Sequence, residues 1–381
     1  MKFLRFLLVP FAFLVVGIVR LIAPWKLVRF GEIWSSRLGH LVGNLECYLC
    51  EKDALIQPQS CDIWFSNAPP ANRYIYRKYA KKLHIWPKAF TLLTIRINAL
   101  FLGWEKHFIS TLQVDRDIKN LTWVFSPHIE FTDREEKKGQ KLLRSLGIPE
   151  GAKWVCLIVR DSAYLKAKAP RLDFSYHDYR DADCSNYVPA AVELARRGYY
   201  VIRMGHIIAK PFFVKHTRII DYPFKRTEFG DLYLGAKCAF CLGTSTGFMA
   251  IPQFFNRPLA VTDFVPLEYA PTWSEGLVIW KHHLKDGKRM SVREIAVAGV
   301  GVTTFGPAFE QAGIKLEDNT SQEILDLAME AADRDQGIRD EDSQDDFWKA
   351  FPFSVVNGQP LHGKVRIRVG RNYLKEWKEW R

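Results

Sequence analysis

The second half of the chain carries the clearest periodic signal, short apolar runs alternating with amphipathic stretches. Residues 154–159 (WVCLIV) form a continuous apolar run of strand length, the pattern of a strand buried on both faces. Residues 188–197 (VPAAVELARR) repeat apolar positions at helical spacing and stop at Gly198. Strands follow at 199–204 and 218–221, a helix at 228–236, a strand at 238–242, a helix at 248–255 and a strand at 258–261. Strands and helices that alternate across short connections predict a doubly wound parallel sheet.

The first half gives a weaker version of the same pattern. A strand is predicted at 26–31, a Gly-containing loop through Ser35 and His40, a helix over 41–49, a strand at 61–66, and basic, aromatic-faced helices over 72–83 and 87–101. The charged segment 133–151, marked by Gly and Pro at its end, reads as the connection between two domains. The expected organisation is therefore 1–24 as a membrane-associating hydrophobic segment, 25–135 as an N-terminal α/β domain and 136–332 as a C-terminal α/β domain. An acidic linker (333–346) and a tail close the chain over 333–381, with the tail expected to pack back on the N-terminal domain.

Residues 1–24 (MKFLRFLLVPFAFLVVGIVRLIAP) hold 14 uncharged residues between Arg5 and Arg20, fewer than the ~20 needed to span a bilayer. Lys2, Arg5, Arg20, Lys26 and Arg29 flank the run on both sides, and no small-x-small cleavage site follows it. The expectation is an anchor lying in the inner leaflet on anionic head groups, at the cytoplasmic face of the inner membrane, with a tilted single span as the alternative. A buried core helix is not expected, because no face of it is polar.

Composition narrows the partners. The 381 residues are 48% hydrophobic and 25% charged, which is globular, and the net charge of +12 calls for an anionic partner. No RNP, zinc-finger or helix-turn-helix pattern is present, so nucleic acid is not expected. The seven cysteines include 47-x-x-50 and 238-x-x-241 pairs, but these fall in helical and strand stretches without the turn residues of a zinc knuckle. They read as structural, reduced thiols.

Candidate chemistry gathers where strands end. The loop Gly243-Thr244-Ser245-Thr246-Gly247 turns a strand into a helix through small residues, which leaves backbone N–H groups and hydroxyl donors for an anion. It lacks the Lys and spacing of a Walker A loop. Arg160 and Asp161 follow the 154–159 run, and Arg203 and Gly205 fall at the end of the 199–204 strand, all on the carboxyl edge where open sheets bind ligands. Two arginines and the loop suit a diphosphate. His40, between first strand and first helix, is a candidate general base, with Asp161 as the other. The polar loop 174–183 reads either as a turn capping the next helix or as a place for sugar hydroxyls. His177, Asp178, Asp181 and Asp183 have the side chains of a metal set but no DxD between apolar strands, and no metal is expected.

These residues resemble a family of bacterial glycosyltransferases encoded with surface-polysaccharide genes. The likeness spans about residues 26 to 370. It is carried by Arg29-Phe30-Gly31, Arg37-Leu38-Gly39-His40-Leu41, Val159-Arg160-Asp161-Ser162-Ala163-Tyr164, Tyr179-Arg180-Asp181-Ala182-Asp183, Arg203-Met204-Gly205, the 231–238 stretch and the 243–247 loop. The Arg-Asp strand end and the Ser/Thr-Gly loop look more distantly like the donor half of heptosyltransferases and fucosyltransferases. The resemblance implies two Rossmann-like domains facing a cleft (GT-B type), a nucleotide-sugar donor as substrate rather than a cofactor, no metal, and a glycan or lipid-linked acceptor. In those terms Arg160, Arg203, Gly205, Gly243, Thr244, Ser245, Thr246 and Gly247 would hold the donor, and His40 or Asp161 would be catalytic. A nucleotide-sugar epimerase and a non-catalytic binding protein are the alternatives on the same scaffold.

Overall fold

The computed structural model describes residues 2–379 apart from 111–115, 169, 172, 213, 340–342 and 357. Contacts divide the chain into two compact units, Met1–Asp117 with Leu121–Glu130, and Ile118–Asn120 with Phe131–Arg381.

The first unit is built on a parallel sheet of β1 (Leu27–Ile33), β2 (Ser60–Ser66), β3 (His84–Ile85) and β4 (Phe108–Ile109), in the order β3-β2-β1-β4. Arg29 and Asp62 face each other in the β1–β2 register, both buried, with Nε–Oδ1 at 3.0 Å. Lys52 and Tyr48 complete that network. Burial raises the Asp62 carboxyl, but its bonds to Arg29, Lys52, Tyr48 and Ser60 outweigh this and hold it below the ordinary range. Arg29 thus braces the sheet.

The N-terminal segment is a helix, Lys2–Ile22, and it is not a separate appendage. Ala12 and Val16 pack with Ile97, and Val19 packs with Val28, Phe30 and Ile63, so one face belongs to the core of this unit. The sequence pattern misleads because every face of the helix is apolar, and only tertiary contacts distinguish the core side. Among the described residues no helix is long and apolar enough to cross a membrane.

The second unit holds a seven-stranded parallel sheet. Its strands are β5 (Trp154–Ile158), β6 (Tyr200–Arg203), β7 (Ile219–Asp221), β8 (Phe240–Gly243), β9 (Leu259–Phe264) and β10 (Gly276–Trp280), with Arg368–Val369 added beside β10. From one edge the order runs β7-β6-β5-β8-β9-β10, the dinucleotide-fold order, in which the chain winds outward in both directions from β5 and β8. Helices Val188–Arg196 and Ser321–Asp335 cover one face. Helix Glu228–Lys237 covers the other, where Trp154 Nε1 and Cys156 Sγ both donate to the Leu234 carbonyl. An antiparallel arrangement of His282–Lys285 with Lys288–Arg289 and Ile314–Glu317 follows β10.

Three sequence expectations change here. The 133–151 segment is no linker: Asp133–Ser145 is a helix started by a Thr132/Glu135 capping box, and Gly139 lies against the Tyr233 ring, where a Cβ would come within 2.0 Å. The acidic stretch begins inside helix Ser321–Asp335, where Asp333 meets Arg197 at 2.5 Å and Asp335 meets Lys153 at 2.8 Å. Asp340, Glu341 and Asp342 lie outside the described residues. The tail joins the second unit instead of the first: Arg368–Val369 pairs with β10, Gln344 exchanges two 2.8 Å hydrogen bonds with Val369, and Arg371 N donates to Glu330 at 2.7 Å. Ile367 and Val369, both fully buried, supply the apolar surface that makes this edge the better partner.

Candidate functional site

In this strand order the connections after β5 and β8 depart to opposite faces, which opens a crevice beyond their carboxyl ends. Two of the loops predicted to bind an anion meet there. Thr244 N donates to the Ile158 carbonyl at 2.9 Å, and the Thr244 hydroxyl accepts from Arg160 N at 2.7 Å, so the backbones after the two strands are stitched together. Gly243 makes this approach feasible. Its φ is +134°, and a Cβ would sit 1.8 Å from the Ile158 oxygen.

Around this seam lie three cationic side chains. Arg160 pairs with Asp181, and Arg180 donates from Nη2 to the Ser245 carbonyl at 3.0 Å. Lys281, only 4% exposed, donates from Nζ to the Asp181 carbonyl and to Asp318 Oδ1, each at 2.6 Å. Asp181 is therefore the hub. Desolvation raises its carboxyl despite the Arg160 charge, with Asp178 and Asp161 pushing the same way. A ligand bringing negative charge to Arg160 would compete with Asp181 for the guanidinium.

The loop itself contributes donors. Thr246 is the extended residue preceding a short 3-10 turn, Gly247–Met249, whose first bond is Met249 N to the Thr246 carbonyl at 3.1 Å. The amides ahead of that bond are the ones a helix start leaves for a ligand. The Thr246 Oγ1 is buried and has no hydrogen-bond partner, a state that costs about 1–3 kcal/mol unless something accepts from it. The helix is shorter than the sequence predicts: the 3-10 turn leads into Ala250–Phe254 alone, so the macrodipole is slight and the amides and hydroxyls are the anion donors.

Other predicted residues are placed elsewhere. Arg203 is 1% exposed, with Nη1 at 3.3 Å from Asp221 and Nη2 at 3.3 Å from the Lys210 carbonyl; it fastens β6 to the following loop and is not open to a ligand. Gly205 is needed for packing, since a Cβ would meet Ile208 at 2.8 Å and Pro223 at 3.2 Å. Asp161 accepts from Ala163 N at 2.9 Å on one oxygen and from Ala209 N at 3.0 Å on the other, which clamps two loops. His40 lies in the first turn of helix Leu38–Asp53, not in the loop before it. It is half-buried, edge-on to Trp34 at 5.4 Å, near the carboxyl end of β1 in the first unit.

Arg180, Asp181 and Lys281 are the members that sequence reasoning undervalues. For Lys281 a signal exists: it follows the apolar run Leu277–Trp280 as Arg160 follows the β5 run, but Gly276 at the head of that run disguises the strand.

One more polar cluster lies in the first unit. His128 donates or accepts at both ring nitrogens, Nδ1 with Glu46 Oε2 at 2.8 Å and Nε2 with Asp53 Oδ2 at 3.0 Å. Glu46, Cys50 and His128 bring ligand-type atoms within 4.8 Å of one another. The Cys50 thiol, pushed up to about 12 by burial and by the Glu46 charge, stays protonated, and the carboxylates already engage the imidazole. The His128 ring bridges the Glu46 and Asp53 carboxylates. Burial alone lowers the His128 ring, yet the bonds to Glu46 and Asp53 prevail and raise it. A raised histidine stabilises fully below its unfolded value near 6.5, and the contribution fades as pH climbs through the folded value. Melting curves from about pH 6 to about pH 8.5 should show Tm declining in the native protein and a flatter profile in His128→Gln.

Comparison with known proteins gives no matching family model and no matching curated relative. Among solved structures the chain is similar to a glycosyl transferase family 9 protein from Veillonella parvula, with 11% identity and a TM-score of 0.42 over 67% of this chain and 86% of that one. It is also similar to the ADP-heptose lipopolysaccharide heptosyltransferase II of E. coli, with 13% identity and a TM-score of 0.41 over 75% and 97%. A wall teichoic acid polymerase, TagF, matches at 10% identity and a TM-score of 0.30 over 87% and 85%.

Proposed function

We propose that the protein is a glycosyltransferase that moves a sugar from a nucleotide-sugar to a glycan or lipid-linked acceptor in bacterial surface-polysaccharide synthesis. The single observation that carries the reading is the β5–β8 seam. There the Arg160 backbone is tied to Thr244, Arg180 reaches the Ser245 carbonyl, Lys281 holds the adjoining loop at Asp181, and the buried Thr246 Oγ1 has no partner, at the switch point of a dinucleotide-type sheet. A diphosphate suits this edge, since its oxygens accept from guanidinium, hydroxyl and amide donors alike.

The chemistry follows from that placement. The acceptor hydroxyl attacks the anomeric carbon, the bond from that carbon to the diphosphate oxygen breaks, and configuration inverts. Negative charge grows on the departing nucleoside diphosphate, where Arg160 and the 244–247 loop stabilise it without a metal. The acceptor proton passes to a base. His40 and Asp161 are the candidates for that role, each at the carboxyl end of a strand of its own sheet. The location proposed with it is the cytoplasmic face of the inner membrane, peripheral or monotopic, where a lipid-linked acceptor would be met. The test is a panel of nucleotide-sugars with and without extracted lipid-linked glycans, read by release of nucleoside diphosphate. Release from at least one donor, accelerated by an acceptor, is the expected result; no release and no binding of any member would refute the assignment.

A further inference from the structure

The N-terminal helix Lys2–Ile22 has two apolar faces, and only one is covered. Ala12, Val16 and Val19 are buried in the first unit, whereas Leu7, Phe11, Leu14, Ile18 and Leu21, three or four residues apart, are 48% to 71% exposed. Trp25, one further turn along, is 83% exposed. An unbroken solvent-facing stripe of this length is an interaction surface, because isolated exposed apolar residues do not fall in register.

A second exposed element adjoins it. The turn after helix Lys88–Asn98 presents Leu100 at 75% and Leu102 at 95% exposure. Arg20 fastens this turn to the last turn of the N-terminal helix: Nη1 donates to Asn98 Oδ1 at 3.0 Å, Nη2 donates to the Leu102 carbonyl at 2.5 Å, and the guanidinium lies over the Phe101 ring at 5.2 Å. The apolar tip and the apolar stripe are thereby held as one surface of one unit.

Charge identifies the occupant. The two segments that build this face, 2–26 and 87–104, contain six Lys and Arg and no Asp or Glu. A second copy would set this basic ground against itself across a two-fold axis, which repels. An anionic bilayer supplies both complements, acyl chains for the stripe and head groups for the cations.

We propose that the protein docks on anionic phospholipid through a composite surface, the outer face of the Lys2–Ile22 helix together with the Leu100–Leu102 tip, with the helix lying in the membrane plane. This docking mode rests on the membrane location proposed for the transferase and specifies it. The helix cannot leave to become a span without exposing the core around Ala12, Val16 and Val19. Docking in this way buries one side of the helix about 5–10 Å into the head-group region.

Co-sedimentation of the full chain with phosphatidylcholine vesicles containing phosphatidylglycerol, and with phosphatidylcholine alone, tests it. Native protein should bind the anionic vesicles, less so as salt rises, and should bind the uncharged ones weakly. The triple variant Phe11→Ser, Leu14→Ser, Ile18→Ser should bind about tenfold less or weaker, and Leu100→Ser with Leu102→Ser should also bind less. Both variants alter exposed positions, so each should keep the native Tm and nucleoside-diphosphate binding, which separates failure of this proposal from failure of the transferase reading. Equal sedimentation of native and triple-variant protein overturns it. So does equal binding to charged and uncharged vesicles, or a native dimer that the triple variant converts to monomer.

Discussion

Gly243→Ala is expected to lower the stability of the second unit by about 3–6 kcal/mol, enough to drop Tm by about 10 °C or to prevent soluble expression. Two costs add. The backbone at +134° is one that L-residues rarely adopt, and the new Cβ would stand 1.8 Å from the Ile158 carbonyl oxygen, a backbone atom on the neighbouring central strand. Nothing soft can yield there, since β5 and β8 are both fully enclosed. Gly313→Ala is the matched control. It too has positive φ, +68°, but no atom lies within 4 Å of its Cβ, so it should cost only about 1 kcal/mol. Scanning calorimetry on the two variants separates close strand approach from backbone strain alone. Similar losses in both would mean that the seam tolerates separation.

Arg160→Ala is expected to reduce kcat by about 10- to 1,000-fold in the transfer reaction, with a smaller change in KM. Position is the reason. The Arg160 backbone is locked to Thr244 at the start of the 244–247 loop, and its guanidinium is held by Asp181. If it meets charge that develops as the diphosphate departs, its loss falls mainly on kcat. Arg160→Lys should restore little, because an ammonium lacks the planar fork that engages two phosphate oxygens. Folded Arg160→Ala with undiminished turnover would remove the residue from the mechanism.

How much of the fold and site can be read from the chain depends on whether a residue's partner is near in pattern or distant in space. The β5 run, the β8 strand and the small-residue loop after it stand out, because a strand buried on both faces needs a continuous apolar sequence and its exit needs Gly243. The sheet edge is less legible. Gly276–Trp280 and Arg368–Val369 are joined only by long-range pairing, and a two-residue strand has no periodicity to detect. Arg160 and Arg203 look alike in sequence, each a cation ending a strand. In the structure their acidic partners separate them: Asp221 reaches back to bury Arg203, whereas Arg160 meets the half-buried Asp181 at the crevice. Gly39 suggests a turn that would leave His40 in a loop, yet the helix starts at Leu38 without a side-chain cap. The N-terminal helix is illegible for the opposite reason, having too much apolar surface for one pattern to reveal a buried face.

The decisive measurement is a crystal structure with a nucleoside diphosphate bound. Phosphate oxygens should lie within hydrogen-bonding distance of the Arg160 guanidinium, the Thr246 hydroxyl and the amides that open the Gly247–Met249 turn. A diphosphate bound anywhere else on the second unit, with Arg160 still on Asp181 and Thr246 still without a partner, would contradict the assignment of the β5–β8 seam as the donor site.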